Sequence, residues 1–155
     1  MADPLSVVTT TVSLIVMCKK VVGYISDTRA ADMEVRFLKN EVLSLSAVLE
    51  EIDKTFNQLK DRGIDLQTWF EGSHWKSASR SMEDCTETLE QLEKVLVGVK
   101  VEDGAIFQGT RTRAALDRQS GEINALRRDV EVFRQTMQLS LQLICLYSPS
   151  LYTQC

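Results

Sequence analysis

Residues 3–25 read DPLSVVTTTVSLIVMCKKVVGYI, a long and largely apolar stretch near the start of the chain. Asp3 is a favourable N-cap and Pro4 suits the first helical position, so a helix is predicted to start here. A helix that is apolar on most of its faces either packs among other helices or enters a lipid bilayer. The two environments remain open alternatives. Two apolar stripes follow adjoining sides of this helix: Leu5, Val8, Val12, Ile15 and Val22 on one, and Val7, Leu14, Cys18, Val21 and Ile25 on the other.

The composition fits one globular domain built from long helices. The chain has 155 residues, of which 44% are hydrophobic and 26% are charged, with only 2 Pro and 7 Gly. A chain of this length can bury a sizeable core. The net charge of −4 gives no reason to expect a nucleic-acid partner. We expect a single bundle domain over residues 1–147 and a frayed tail over residues 148–155.

The clearest periodic signal covers residues 35–59, where apolar residues recur in alternating steps of three and four. Such spacing predicts a helix with one buried face, and similar seams run through residues 82–99 and 123–144. One seam could form a coiled-coil dimer, but several apolar helices in one chain favour a bundle. The predicted fold is therefore all-α, an antiparallel four-helix bundle. Its predicted core contains Leu38, Val42, Leu45, Leu49, Ile52, Phe56, Cys85, Leu89, Leu92, Leu96, Leu126, Val130, Phe133, Met137 and Leu141.

The connections between these helices are less regular. Gly63 is the predicted stop of the second helix, and residues 64–70 could form an extra short helix over one end of the bundle. Trp69 and Trp75 either fill the core or mark a membrane interface. A third helix is predicted to begin near Ser73, and residues 101–108 are predicted to form a loop before the last helix.

Charge is unevenly distributed between the third and fourth predicted helices. Residues 82–95 are acidic, whereas the arginines concentrate in residues 111–134. Opposite charges of this kind suit either two neighbouring helices or two separately solvated faces. The acidic residues are Glu83, Asp84, Glu87, Glu90 and Glu93, and the basic ones are Arg111, Arg113, Arg118, Arg127, Arg128 and Arg134.

The cysteines and the N-terminus predict the compartment. Cys18, Cys85, Cys145 and Cys155 are far apart, and the first three fall on apolar stripes, so we expect these three to be free thiols. The protein should be cytoplasmic and disulfide-free, with relocation to the plasma membrane if the first helix acts there. The apolar run after Asp3 lacks a basic n-region and a small-residue cleavage site, and is therefore not read as a secretory signal. It is also short and hydroxyl-rich for a conventional transmembrane segment.

Catalytic and cofactor motifs are not found. His74 is the only histidine, and the sequence contains neither phosphate-binding glycine motif nor a G-x-S-x-G nucleophile turn. The acidic third helix lacks the Glu-x-x-His pairs of di-iron bundles. We therefore expect no enzymatic activity, no metal or cofactor and no small-molecule substrate.

Four stretches carry a family resemblance. Residues 1–7 read MADPLSV before an apolar helix, residues 38–42 read LKNEV, residues 85–92 read CTETLEQL, and residues 126–144 form the closing seam. In type and spacing they resemble the N-terminal domain of fungal STAND proteins, also described as HeLo-like or as the azaphilone-cluster protein L N-terminal domain. The resemblance covers nearly the whole chain. It implies a helical bundle that precedes a nucleotide-binding oligomerisation module and a repeat sensor.

The resemblance also implies a function in programmed cell death. Relatives in fungal heterokaryon incompatibility, and the bundle of mixed-lineage-kinase-like necroptosis executors, kill cells by exposing an N-terminal helix to the membrane. Carried over by position, that segment is residues 5–25 here. It implies an NLR-like effector that self-associates on activation.

Two functions are therefore expected as alternatives. The first is a membrane-targeting cell-death executor, in which Lys19 and Lys20 contact anionic headgroups. The second is a protein-interaction or oligomerisation module with no membrane step, which the regular seam of the second helix favours. In the first, the membrane-inserting residues are Leu5, Val8, Val12, Leu14, Ile15, Val16 and Val22.

Overall fold

The computed structural model describes residues 4–27, 33–67, 73–102 and 110–147. These ranges contain four long helices: α1 (Pro4–Asp27), α2 (Met33–Asp61), α3 (Ser73–Glu102) and α4 (Thr110–Tyr147). The part of the chain that is described contains no strand. The predicted all-α, four-helix fold is confirmed.

The helices pack in a ring whose order differs from their order in the chain. α1 contacts α2 and α3, and α4 contacts α2 and α3, so α1 lies diagonally opposite α4. The short connections make successive helices antiparallel. Thr11 of α1 contacts Met82 of α3, and further along both helices Lys20 pairs with Glu93. These two contacts show that the neighbours α1 and α3 run in the same direction. The two helices are neighbours because the chain crosses the diagonal of the ring between α2 and α3.

One continuous apolar core fills the space between the helices. Every residue predicted for this core is buried except Leu141, which is partly buried and packs against it. The predicted seam of α2 is buried at each position from Val35 to Leu59, which explains why its periodic signal is so regular. The side chain of Val99, at the end of the predicted seam over residues 82–99, lies outside the described part of the chain. The core gains Val7, Leu14, Cys18, Val21 and Ile25 from α1.

The end of α2 follows from the backbone freedom of glycine. Gly63 has φ of +71°, a left-handed conformation that L side chains rarely adopt. Its N–H donates to the Lys60 carbonyl at 2.9 Å, and the Ile64 N–H donates to the Leu59 carbonyl at 3.1 Å. This pair of bonds is the Schellman motif, and it satisfies carbonyls that a helix end leaves open. The predicted stop at Gly63 is confirmed.

The chain beyond Gly63 turns back over the core. Ile64 and Leu66 are partly buried against it, and Asp65 Oδ1 accepts a hydrogen bond from the Gln67 N–H at 2.9 Å. This is N-cap geometry, and Leu66 and Gln67 are helical. Residues 68–72, with Trp69 and Phe70, lie outside the described ranges. Trp75 is buried, which fits the core alternative for this residue.

Two expectations require correction. α3 continues to Glu102, so residues 101 and 102 are helical, and the rest of the predicted loop lies outside the described ranges. Cys145 is disulfide-bonded rather than free, and its partner lies outside the described residues. Ile144 takes the buried position in this turn of α4, which leaves Cys145 partly exposed and available for bonding. Cys18 and Cys85 are free and buried, as predicted.

Candidate functional site

The inner side of α1 resembles that of any bundle helix. Val7, Leu14 and Val21 lie in the core at helical spacing, and Thr11 occupies a position in the same row. The Thr11 hydroxyl donates to the Val7 carbonyl at 2.8 Å. This buried polar group therefore has a hydrogen-bond partner within its own helix. Of the two predicted apolar stripes, the one that contains Val7 faces the core.

The outer side of α1 is the unusual one. Leu5, Val12 and Val16, called here the outer stripe, are 73%, 46% and 60% exposed. At about 100° per residue the three side chains point within roughly 40° of one another. Val8 and Val22 flank the stripe and are partly buried. The direction of α1 that points farthest from the core is therefore apolar.

No charge interrupts this side over the first four turns of the helix. Residues 4–18 include no acidic or basic residue. Their polar groups are small hydroxyls, and the Thr9 hydroxyl donates to the Leu5 carbonyl at 2.8 Å. Hydroxyls bonded to their own helix cost less to move into an apolar environment than unpaired ones. By length and composition, Pro4–Ser26 could cross a membrane, and about 33% of its most apolar window is buried in the bundle.

Two lysines follow the outer stripe, and each forms an ion pair with a neighbouring helix. Lys19 Nζ lies 3.1 Å from Glu50 Oε1 of α2, and Lys20 Nζ lies 2.6 Å from Glu93 Oε1 of α3. The hydrogen bond and charge of Glu93 raise the pKa of Lys20. Because the two partners lie on different helices, the lysines diverge to either side of the outer stripe. Both remain exposed, yet both are already paired.

Beneath the lysines, two buried thiols lie at the contact between α1 and α3. Cys18 and Cys85 are free and nearly inaccessible to solvent. Burial, with a smaller contribution from the Glu50 carboxylate, raises the pKa of Cys18 to about 12. Burial, and then the neighbouring Cys18, raises the pKa of Cys85 well above its usual range. A thiol that stays protonated is a poor nucleophile, so neither residue is placed for catalysis.

The structure divides the predicted membrane-inserting residues into three groups. Leu5, Val12 and Val16 are exposed, Val8 and Val22 are partly buried, and Leu14 and Ile15 are in the core. The bundle as folded therefore presents part of this set, and Leu14 and Ile15 become available only if α1 leaves its neighbours. No sequence pattern indicates that Glu50 and Glu93, among the acidic residues, lie beside α1.

A second exposed apolar row lies on α4. Val132, Leu139 and Leu146 are spaced seven residues apart and are exposed, with the partly buried Leu143 between the last two. A seven-residue repeat is the spacing of a coiled-coil seam. These residues, called here the α4 row, belong to the helix diagonally opposite α1, so the α4 row is separate from the outer stripe. Three exposed apolar residues also lie on α2, namely Met33, Phe37 and Leu43.

Two charged residues of α3 and α4 form ion pairs with other helices, although α3 and α4 are themselves neighbours. Glu93 pairs with α1, and Arg134 Nε donates to Glu41 Oε2 of α2 at 3.0 Å. Neither ion pair joins α3 to α4. Within the described ranges, no group of three or more His, Cys, Asp or Glu is arranged to hold a metal ion. The side chain of His74 is outside the described part.

Comparison of the chain with known protein families, with curated proteins and with solved structures finds no match.

Proposed function

We propose that this chain is a non-enzymatic effector domain that acts on anionic membranes through α1. The observation that carries the proposal is the outer stripe: a charge-free, apolar line on the most outward side of the N-terminal helix, followed by Lys19 and Lys20. An apolar face with basic residues beside it is the arrangement of helices that bind at membrane interfaces. The resemblance to fungal STAND N-terminal domains agrees with this function and is part of the proposal.

Contact through the outer stripe alone gives weak and reversible attachment. Moving a partly exposed Leu or Val side chain from water into acyl chains contributes about 1–2 kcal/mol. Three such side chains contribute about 3–6 kcal/mol, which is comparable to the cost of immobilising the domain. Attraction of the lysines to anionic headgroups adds to this. A stable effect on the bilayer therefore needs more of α1 than its outer stripe.

Release of α1 would supply that additional surface. The inner side of α1, which includes Val7, Leu14 and Val21, would enter the bilayer together with the outer stripe. The same movement would expose the seams of α2 and α3 that α1 now covers. Exposed seams associate with one another, so self-association on activation follows from the same geometry. We place the resting protein in the cytoplasm and the activated one at the plasma membrane, with cell death as the outcome.

The experiment compares outer-stripe variants with a matched control in vesicle binding. Val12→Gln with Val16→Gln removes the apolar line without touching the core, and Leu43→Gln on α2 is the control. Val12 and Leu43 are 46% and 45% exposed, so Val12→Gln and Leu43→Gln should each perturb folding to a similar, small extent. Val16 is 60% exposed, so adding Val16→Gln should also perturb folding little. We expect the double variant to lose most binding to phosphatidylserine vesicles and most leakage, and the control to retain both. Equal loss in both variants, or no binding by the unmodified protein, would overturn the proposal.

A second candidate function is an oligomerisation module with no membrane step. The α4 row favours it, because Val132, Leu139 and Leu146 form an exposed seam with coiled-coil spacing. In this function the unmodified protein forms a dimer or a larger oligomer in solution and does not bind vesicles. Leu139→Glu would return it to a monomer in light scattering, whereas Val12→Gln would not.

A further inference from the structure

The two lysines that flank the outer stripe are held by carboxylates from different helices. Lys19 pairs with Glu50 across the α1/α2 contact, and Lys20 pairs with Glu93 across the α1/α3 contact. Lys19 and Lys20 are adjacent in sequence, so the two ion pairs attach α1 at one level to both of its neighbours. These ion pairs therefore restrain the same stretch of helix that a membrane would have to bind.

A phosphate group of an anionic lipid and a glutamate carboxylate compete for the same lysine. Both are anions that accept hydrogen bonds from an ammonium group, and one lysine in a fixed position cannot serve both fully. The Lys19–Glu50 pair is exposed, since the two side chains are 67% and 50% accessible. In the Lys20–Glu93 pair the lysine side chain is 53% accessible and the glutamate side chain is 27% accessible. Exposed pairs are weak and are screened by salt, so an anionic surface can displace the carboxylates.

We propose that Glu50 and Glu93 form an electrostatic latch on α1, which opens when anionic lipid headgroups take Lys19 and Lys20 from them. The proposal rests on the proposed membrane function, and it adds the restraint and the chemistry that relieves it. Two pairs act together because freeing one lysine leaves α1 attached to the other neighbour. The latch accounts for a helix with an apolar outer stripe that remains packed in the absence of a membrane.

The buried thiols provide a readout of the latch without lipid. Cys18 and Cys85 become accessible to a maleimide only when α1 separates from α3 or when the protein unfolds. Glu50→Gln with Glu93→Gln removes both carboxylate charges and keeps the side-chain shapes. We expect labelling of Cys85 to be on the order of 3-fold to 10-fold faster in this variant, which is the range for two weak ion pairs. Cys85 is the thiol to follow, because the Glu50 carboxylate itself raises the pKa of Cys18.

A matched control is available in the same part of α2. Glu51 pairs with Lys54 of its own helix at 3.5 Å, and its side chain is 58% accessible. Glu51→Gln therefore removes a similar exposed ion pair that does not involve α1. Its labelling rate should equal that of the unmodified protein. Hydrogen exchange across α2 distinguishes release of α1 from unfolding: acceleration in α2 equal to that in α1 would overturn the latch.

The lipid arm uses phosphatidylserine vesicles, with phosphatidylcholine vesicles and inorganic phosphate alone as the comparisons. Phosphatidylserine should accelerate labelling of the unmodified protein several-fold, and the Glu50→Gln, Glu93→Gln variant should bind these vesicles more tightly. Acceleration by inorganic phosphate alone to the same extent would overturn the lipid assignment. A second variant separates the latch from lipid attraction. Lys19→Glu with Glu50→Lys keeps an ion pair but moves its basic end to α2, so it should stay closed and bind vesicles more weakly.

These arms distinguish the latch from the function it rests on. If no variant binds vesicles while the double glutamine variant still labels faster, the restraint is supported and the membrane function is overturned. If the unmodified protein binds vesicles but the double glutamine variant labels and binds as the unmodified protein does, the latch is overturned and the membrane function stands.

Discussion

The rings of Phe56 and Trp75 contact each other across the diagonal of the bundle, with centroids 5.7 Å apart and planes inclined at 51°. Phe56 belongs to the last turns of α2 and Trp75 to the first turn of α3. The contact therefore lies at the end of the bundle where the chain crosses from one helix to the other. Tilted pairs of this kind stabilise beyond their buried area by about 0.5–1.5 kcal/mol.

Trp75→Ala should be among the most destabilising single changes. It removes the largest fully buried side chain among the described residues and leaves a cavity against Phe56. We expect a loss of about 3–5 kcal/mol in the free energy of unfolding, measured by urea titration. Trp75→Phe keeps a ring at this position and should recover a large part of the loss. Equal losses in the two variants would mean that the ring contact contributes little.

Two leucines within one turn of α2, on opposite sides of the helix, test the assignment of its faces. Leu45 is fully buried and Leu43 is 45% exposed, although the two are chemically identical and two residues apart. Leu45→Ala should cost about 2–5 kcal/mol because it leaves a cavity. Leu43→Ala should change stability by less than about 0.5 kcal/mol. Thermal or urea unfolding measures both, and similar costs would contradict the burial pattern.

The seam of α2 could be predicted in full because its exposed positions are largely polar or charged, which leaves one possible inner face. The inner face of α1 could not be predicted, because Leu5 and Val7 belong to two stripes that are almost equally apolar. Packing against α2 and α3 decides in favour of Val7, and this choice creates the outer stripe. The ion pairs of Lys19 and Lys20 depend on the ring order of the helices, which short connections do not determine.

Replacing Gly63 and Gly23 with alanine should change the free energy of unfolding in opposite directions. Gly63→Ala places a side chain at φ of +71° and should destabilise the protein by about 1–2 kcal/mol. Gly23 lies within α1, where an added Cβ meets nothing within 4 Å. Gly23→Ala should therefore stabilise by about 0.5–1 kcal/mol, because alanine favours the helix and loses less backbone entropy. Melting temperatures that move the same way in both variants would contradict the geometry of one of these sites.

The buried thiols predict a loss of stability in alkaline solution. The pKa of Cys18 rises from 9.0 in the unfolded chain to about 12 in the folded one, and that of Cys85 rises as well. Each folded thiol keeps its proton where the unfolded one loses it, so its contribution is complete below pH 9 and falls as the pH rises above that value. Between about pH 8 and about pH 10 the loss should be about 1 kcal/mol per thiol.

Comparison with Cys18→Ala and Cys85→Ala isolates this effect. Each variant removes one thiol and keeps every other ionisable side chain, so the thiol contribution is what differs between the proteins. Urea titrations at the two pH values should show a shallower decline in each variant than in the unmodified protein. A decline of the same size in all three would mean that the thiols are accessible and titrate normally in the folded state.

Hydrogen exchange on the intact protein tests whether α1 is held less tightly than the rest of the bundle. A helix that leaves on activation must open at lower free energy than the helices that remain, and local opening of this kind governs exchange. Three consecutive threonines at 9–11 lower the helix propensity of α1, and α1 is attached near its far end by exposed ion pairs. We expect protection across residues 7–22 to be at least about 10-fold lower than across residues 38–59. In Glu50→Gln with Glu93→Gln this difference should widen, whereas Glu51→Gln should leave it unchanged. Equal protection in the two helices would mean that α1 opens only when the whole bundle unfolds, and the oligomerisation function of the α4 row would then be preferred.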